Sequence, residues 1–232
     1  MTAVIAITGA SRGIGLELCR HFCAQGNMVA GLSRGSSDFH HEKYVHIQAD
    51  ITDEGAVKEA LQQIGTNMGR LDVLVNNAGV LTSQYAMLMP GAAAEQMLKT
   101  NVFGSFLMSR ESAKLMMKRK WGRIISMSSM AVPLSPAGDA MYAASKSALN
   151  HFTQIFAKEV AGYGITCNVL GISAIETEMM KKIPVEKLKS ILKQLPIQRE
   201  ITMGDITNAL DFFIKAESAA ITAQILYLGG VF

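Results

Sequence analysis

Ala3-Val-Ile-Ala-Ile7, followed by Thr8-Gly9-Ala-Ser11-Arg12-Gly13-Ile14-Gly15, is the stretch from which the fold is read. The first five residues are an apolar run of strand length, as expected for a strand buried on both faces of a parallel sheet. Gly9, Gly13 and Gly15 then punctuate a turn into a helix expected over about Ile14 to Gln25. A strand, a glycine turn and a helix in this order bring unpaired backbone N–H groups and the positive end of a helix dipole to one place, which suits a pyrophosphate. The spacing, Gly-x3-Gly-x-Gly, is neither Gly-x-Gly-x-x-Gly nor a P-loop, since no Gly-Lys-Ser/Thr follows.

Outward from this unit the chain keeps alternating. Strand-like runs are expected at Met28–Ser33, Tyr44–Ala49, Leu71–Val75, Arg123–Met127, Ile165–Leu170 and Ala223–Leu228. Helices are expected over Glu54–Met68, around Lys99–Gly104, from Tyr142 to about Ala161 and over Asp205–Lys215. Such alternation predicts an α/β protein with a parallel sheet and helices on both faces. No repeat, low-complexity tract or linker interrupts it, so residues 1–232 are expected to form one domain.

Composition narrows the class. The chain has 22 basic and 19 acidic residues, net charge +3, which offers no electrostatic case for nucleic acid or a membrane surface. Hydrophobic residues make up 49%, enough for a substantial core, and no run approaches the roughly 18 apolar residues needed to cross a bilayer. Strand-like sequence from residue 3 leaves no room for a secretion signal, so a cytoplasmic location is expected. Three cysteines make no disulfide framework, and Cys19 and Cys23, one helical turn apart, lack companions for a metal set. The partner these features favour is a small molecule.

Chemistry enters at Tyr142-Ala-Ala-Ser-Lys146, which opens a helical run. Residues four apart share a helix face, so the phenol and the ammonium can reach one point. A nearby cation favours the phenolate and moves a tyrosine toward acid–base work. Alone, such a pair is ordinarily a core-edge ring and a solvated charge. Upstream, however, the Arg123–Met127 run ends in Ser128-Ser129, delivering a serine hydroxyl to the carboxyl end of a strand, where open α/β sheets bind ligands.

Taken with Asn76-Asn77-Ala78-Gly79 and Asn101, these motifs resemble the short-chain dehydrogenase/reductase family over nearly the whole chain, and most of all the 3-oxoacyl-(acyl carrier protein) reductases. The resemblance implies a Rossmann-type, doubly wound fold. It implies Ser129, Tyr142, Lys146 and Asn101 as catalytic residues: a hydrogen-bond donor, a general acid, a lysine that tunes the acid and binds the nicotinamide ribose, and an asparagine whose main chain holds a relay water. It further implies cofactor contacts from Gly9, Ser11, Arg12, Gly13, Ile14 and Gly15, from Asp50 and Ile51 beside the adenine, from Asn77, Ala78 and Gly79, from Tyr142 and Lys146, and from Ile175 and Thr177 at the carboxamide. No metal is implied.

The cofactor expected is NADP(H). A site for NAD places an acid at the ribose, roughly 20 residues past the glycines. Here the chain reads Leu32-Ser33-Arg34, with no acid before Asp38, and Arg34 with Arg12 can grip a 2′-phosphate instead. His40 and His41 just beyond are expected to face solvent. Ile172-Ser173 stand where the family has Pro-Gly, and residues 178–200 stand where it has a substrate lid. The basic Lys118-Arg119-Lys120 agrees with docking of an acidic acyl carrier, whereas Tyr163 falls where a second basic residue is common. The expected substrate is therefore a carbonyl compound, a carrier-bound 3-oxoacyl thioester or another ketone, with a non-catalytic cofactor-binding subunit as the rival. A homotetramer or homodimer is expected through Leu107, Phe152, Ile155 and Phe156.

Overall fold

The structure is a computed structural model that describes residues 2–175, 192–193 and 195–231. Thr177 and most of the 178–200 stretch lie outside the described residues.

Seven strands form one sheet: β1 Val4–Thr8, β2 Met28–Ser33, β3 Tyr44–Gln48, β4 Val73–Asn76, β5 Gly122–Ser129, β6 Ile165–Ile172 and β7 Ile225–Tyr227. All neighbours pair in parallel, in the order β3-β2-β1-β4-β5-β6-β7. The chain steps outward from β1 to β2 and β3, then returns to the other side of β1 for β4 to β7. That reversal puts the ligand crevice at the carboxyl ends of β1 and β4.

Burial follows position in the sheet. Every residue of β1, β4 and β5 is buried, as parallel strands covered on both faces require, whereas edge strand β3 has exposed residues between buried ones. Two apolar layers provide the cover. One packs Val57, Leu61 and Ile64 of helix α2 (Glu54–Met68) with Leu107 and Met116 of helix α4 (Ser105–Met117). The other packs Leu18 and Phe22 of helix α1 (Gly13–Ala24) with Ile206, Leu210 and Phe213 of the last helix.

Helix ends match their sequence signals. The Asp53 carboxylate accepts from the Ala56 N–H at 2.8 Å to start α2, and Gly69, at φ 76°, ends it in the left-handed conformation. Helix α3 (Gly91–Leu98) runs into α4 through a π-helical turn, Lys99–Gly104, that contains Asn101. Such turns are rare and gather at functional sites. A short turn, α5 (Ala131–Leu134), precedes helix α6 (Ala140–Val160), and α7 (Met203–Ile214) begins with a capping box between Thr202 and Asp205.

One expectation is corrected here. Leu107 is completely buried within the chain's own core, so it offers nothing to a partner subunit. The apolar face of α4 and α6 is built instead from aromatic rings: Phe103, Phe106, Phe152 and Phe156 follow one another at centroid separations of 6.0, 5.9 and 5.3 Å. Phe103 and Ile155 are each 44% exposed.

Candidate active site

The glycine turn is shaped by close approach. Gly9 (φ +70°) and Gly13 (φ +55°) adopt the left-handed conformation. A side chain at Gly15 would collide with the Gly9 carbonyl and the Asn77 amide. Asn77 holds this floor: its Nδ2 donates to the Thr8 carbonyl at 2.8 Å, while the Asn77 and Ala78 N–H groups donate to the Thr8 hydroxyl at 3.0 and 2.9 Å. Thr8 is thus a structural keystone that the glycine pattern alone does not reveal. Its signal was a hydroxyl at the end of a buried strand.

The amino end of α1 suits an anion. Arg12 precedes it in extended conformation, no side chain caps it, and its first turn carries no acid. Open space surrounds Gly13 where a Cβ would stand. The first N–H groups of a helix have no intrahelical acceptor, so these residues fit a pyrophosphate.

Beside the turn, Arg34 and Arg12 are exposed. Asp50 lies near Arg34 and Lys99. Burial pushes its carboxyl up, but the Thr52 N–H and hydroxyl, at 2.9 and 2.8 Å, and the two cations hold it below its ordinary value. Ile51 is buried, with its side chain against Gly104, so that the π-helical turn and the end of β3 pack together. His40 and His41 are exposed.

At the other end of the crevice Ser129 closes β5, and its Oγ accepts from the Ala131 N–H at 3.1 Å. Tyr142 lies in the first turn of α6. Lys146, one turn on, is only 5% exposed, and its Nζ donates to the Met127 carbonyl at 2.8 Å and lies 6.0 Å from the centre of the Tyr142 ring. Burial pulls Lys146 down to about 8. Burial also pushes Tyr142 above its ordinary value; the Ser129 hydroxyl works against that shift and the Asp139 charge adds to it. The direction differs from the lowering that the Tyr–Lys spacing suggested, because removing a phenolate from water outweighs the hydrogen bond from Ser129.

Asn101 is fully buried and tied on every side. Its Oδ1 accepts from the Val80 N–H at 2.8 Å, and its Nδ2 donates to the Val80 carbonyl at 3.0 Å and to Ser145 Oγ at 2.9 Å. Its own carbonyl accepts from Ser105 Oγ at 3.1 Å. A Cβ on Gly79 would stand 3.3 Å from Asn101 Oδ1 and 3.4 Å from Lys146 Nζ, so the Asn-Asn-Ala-Gly turn runs between them. Val80 and Ser145 went unnoticed in the sequence because their contacts span distant elements, and Ser105 because its bond to Asn101 is an ordinary one-turn contact.

The departure at Ile172-Ser173 is accommodated by extending the sheet. β6 continues through Ile172, which aligns with Ser129, and the Met130 N–H donates to the Ile172 carbonyl at 2.9 Å. The Ser173 hydroxyl turns toward Met130 Sδ at 3.4 Å. Ile175 is buried and bridges to Ile201. Among the described residues no group of three or more His, Cys, Asp or Glu side chains could hold a metal ion.

The glycine turn, the serine at a strand end and the Tyr–Lys pair therefore all stand at the carboxyl edge of one sheet. The family profile described as short chain dehydrogenase matches residues 3–188. The chain belongs to the short-chain dehydrogenase/reductase family. It is 33% identical, over 98% of its length and 96% of the relative's, to the 3-oxoacyl-(acyl-carrier-protein) reductase of Escherichia coli strain K12. The reductases of the same name from Vibrio cholerae serotype O1 and Haemophilus influenzae are 32% and 29% identical over the same shares. It is an oxidoreductase acting on CH–OH or C=O groups with a nicotinamide cofactor.

Proposed function

We propose that this enzyme uses NADPH to reduce a 3-oxoacyl thioester, presented on an acyl carrier protein, to the 3-hydroxyacyl form. The observation that carries the reaction is the convergence of Ser129, Tyr142 and Lys146 at the carboxyl end of β5, beside the glycine turn. The cofactor, when bound, supplies a hydride to the carbonyl carbon. Ser129 Oγ accepts from Ala131, and its own hydrogen, which otherwise favours the Tyr142 oxygen, would donate to the substrate oxygen as negative charge develops there. Tyr142, kept protonated by burial, gives that oxygen its proton. Carbonyl, hydride and proton together make the alcohol.

Lys146 Nζ has three hydrogens and commits one to Met127, so two remain for the ribose hydroxyls and the tyrosine oxygen. The Asn101 side chain fixes the π-helical turn that faces the lysine. Thr177 and Ile175 would hold the carboxamide. Arg12 and Arg34 would take the 2′-phosphate, with Gly9, Ser11, Gly13, Ile14 and Gly15 around the pyrophosphate and Asp50 and Ile51 at the adenine. The chain would act as one domain, assembled into a homodimer or homotetramer through the aromatic face of α4 and α6.

For the carrier, the support is the exposed Lys118-Arg119-Lys120 turn, where an acidic protein could dock, together with the printed names of the relatives. A reading with a free ketone substrate is favoured by one observation, the half-exposed Tyr163 in place of a second basic residue. Kinetics with 3-oxoacyl groups on acyl carrier protein, on a small thiol and as free ketones separate the two. A kcat/KM for the carrier form at least tenfold above the small thioester supports docking; equal values with all thioesters, or higher values with free ketones, reject it.

A further inference from the structure

Edge strand β3 sends Tyr44, His46 and Gln48 to one face, two residues apart, leading toward the end of the strand where the ligand crevice lies. All three are engaged. The Tyr44 hydroxyl meets His46 Nδ1 at 3.0 Å, and His46 Nε2 meets the Gly35 carbonyl at 2.8 Å. A carbonyl can only accept, so Nε2 carries the hydrogen; in the neutral ring Nδ1 then accepts from Tyr44. Burial pushes the Tyr44 phenol up to about 12, so it keeps the hydrogen that this bond uses. Gly31 makes the arrangement possible, since a side chain there would collide with the Tyr44 hydroxyl.

The far end of this relay is the turn after β2. The Gly35 carbonyl also accepts from Ser33 Oγ at 2.7 Å, and the Arg34 carbonyl accepts from Gln48 Nε2 at 2.7 Å. Two side chains of β3 therefore pin the consecutive carbonyls of Arg34 and Gly35. The Arg34 side chain itself is exposed and would be free to swing; what the relay fixes is its starting point. A flexible cation gains selectivity for a phosphate only when its backbone is held, because ordering the loop on binding would cost affinity.

We propose that His46 is a positioning residue for coenzyme choice: through Gly35, and with Gln48 on Arg34, it holds the turn so that the Arg34 guanidinium meets the 2′-phosphate. This rests on the reading of Arg34 as the phosphate contact. His46 touches neither the adenosine nor the reacting atoms.

The experiment measures NADPH and NADH affinity by fluorescence titration for wild type, Arg34→Ala, His46→Phe, His46→Gln and Gln48→Leu. His46 lines a cavity of about 510 Å³, so a phenylalanine ring has room there. Expected is a fall in NADPH affinity of at least fivefold for His46→Phe, with NADH affinity within twofold of wild type. His46→Gln, whose amide nitrogen restores the donor at the Nε2 position, should recover most of the loss. A wild type without NADPH preference, or an Arg34→Ala variant that keeps it, overturns the phosphate assignment and this inference with it. If Arg34→Ala loses the preference and His46→Phe keeps it, or loses affinity for both coenzymes equally, the positioning role alone is wrong. Should His46→Phe not fold, exposed Gln48→Leu decides by the same criteria.

Discussion

The crevice has two ends built on opposite principles. At the end proposed for catalysis Lys146, Asn101 and Ser129 are buried, and each is hydrogen-bonded to backbone: Met127, Val80 and Ala131. At the end proposed for the adenosine Arg12 and Arg34 are exposed, and what is held is the backbone at Arg34 and Gly35. Burial moves Lys146 and Tyr142 toward their neutral forms, so chemistry at that end depends on a low-dielectric setting. The other end relies on solvated charge, which is weaker per contact and sensitive to salt. Substitutions at the first should remove turnover, and substitutions at the second should shift affinity by smaller factors.

The largest expected effect is that of Tyr142→Phe, which keeps the ring and removes the proton donor. Turnover should fall by roughly 10²–10⁴-fold with NADPH affinity unchanged. Near-normal turnover in this variant would break the comparison outright. Ser129→Ala follows, with an expected loss of roughly 10²–10³-fold in kcat for one donor to a developing oxyanion. Both are read from steady-state reduction of an active ketone beside a separate binding titration.

Next comes pH. Lys146 is charged below about 8 and neutral above it, so in the free enzyme kcat/KM for reduction should decline as pH rises through about 8. Stability should move the other way. With the folded value near 8 and the ordinary one at 10.5, the unfolded chain binds more protons at this group, so the Lys146 contribution makes stability rise with pH from about 8. Cys19, Cys23 and Cys167, raised by burial from 9.0, oppose this above about pH 9, and Tyr142, raised from 10.0, joins them above about pH 10, because the unfolded groups ionise there and the folded ones do not. Lys146→Met should flatten the rise between pH 8 and 9 in chemical denaturation, and a rise that persists in the variant assigns it to another group.

Much of this was legible from local sequence. Val4–Thr8 is apolar because both faces of a central parallel strand are covered, and Met28–Ser33 and Glu54–Met68 end where their sequence signals put them. The Tyr142, Lys146 and Ser129 positions follow from a helix turn and a strand end. What did not show were effects of long-range packing. Leu107 reads as surface on a helix but fills the core between α4 and the sheet, while the ring that takes its place on the outer face is Phe106. The sense of the Tyr142 shift depends on how deeply α6 buries its first turn, which spacing cannot express. The π-helical turn at Lys99–Gly104 is likewise set by Asn101 reaching Val80 and Ser145, not by any propensity of its own residues. The strand β6 runs on through Ile172 because an Ile-Ser pair, unlike Pro-Gly, can continue a ladder.

The smallest effect sharpens the contrast instead of testing it by deletion. NADPH should bind at least tenfold tighter than NADH, about 1.4 kcal/mol, and Arg34→Ala should remove most of that preference. Because Arg34 is exposed, its attraction for a phosphate is screened once the Debye length falls from about 10 Å at 0.1 M salt to about 3 Å at 1 M. Raising salt over that range should therefore shrink the NADPH preference of the wild type by severalfold, while leaving NADH affinity and saturated turnover nearly constant. Lys146 is 5% exposed and its ammonium is bonded to a carbonyl, so ions in solution do not reach it. A turnover that falls with salt in parallel with the coenzyme preference would mean that the two ends share one electrostatic environment, and the division between a buried chemical end and a solvated selecting end would have to be given up.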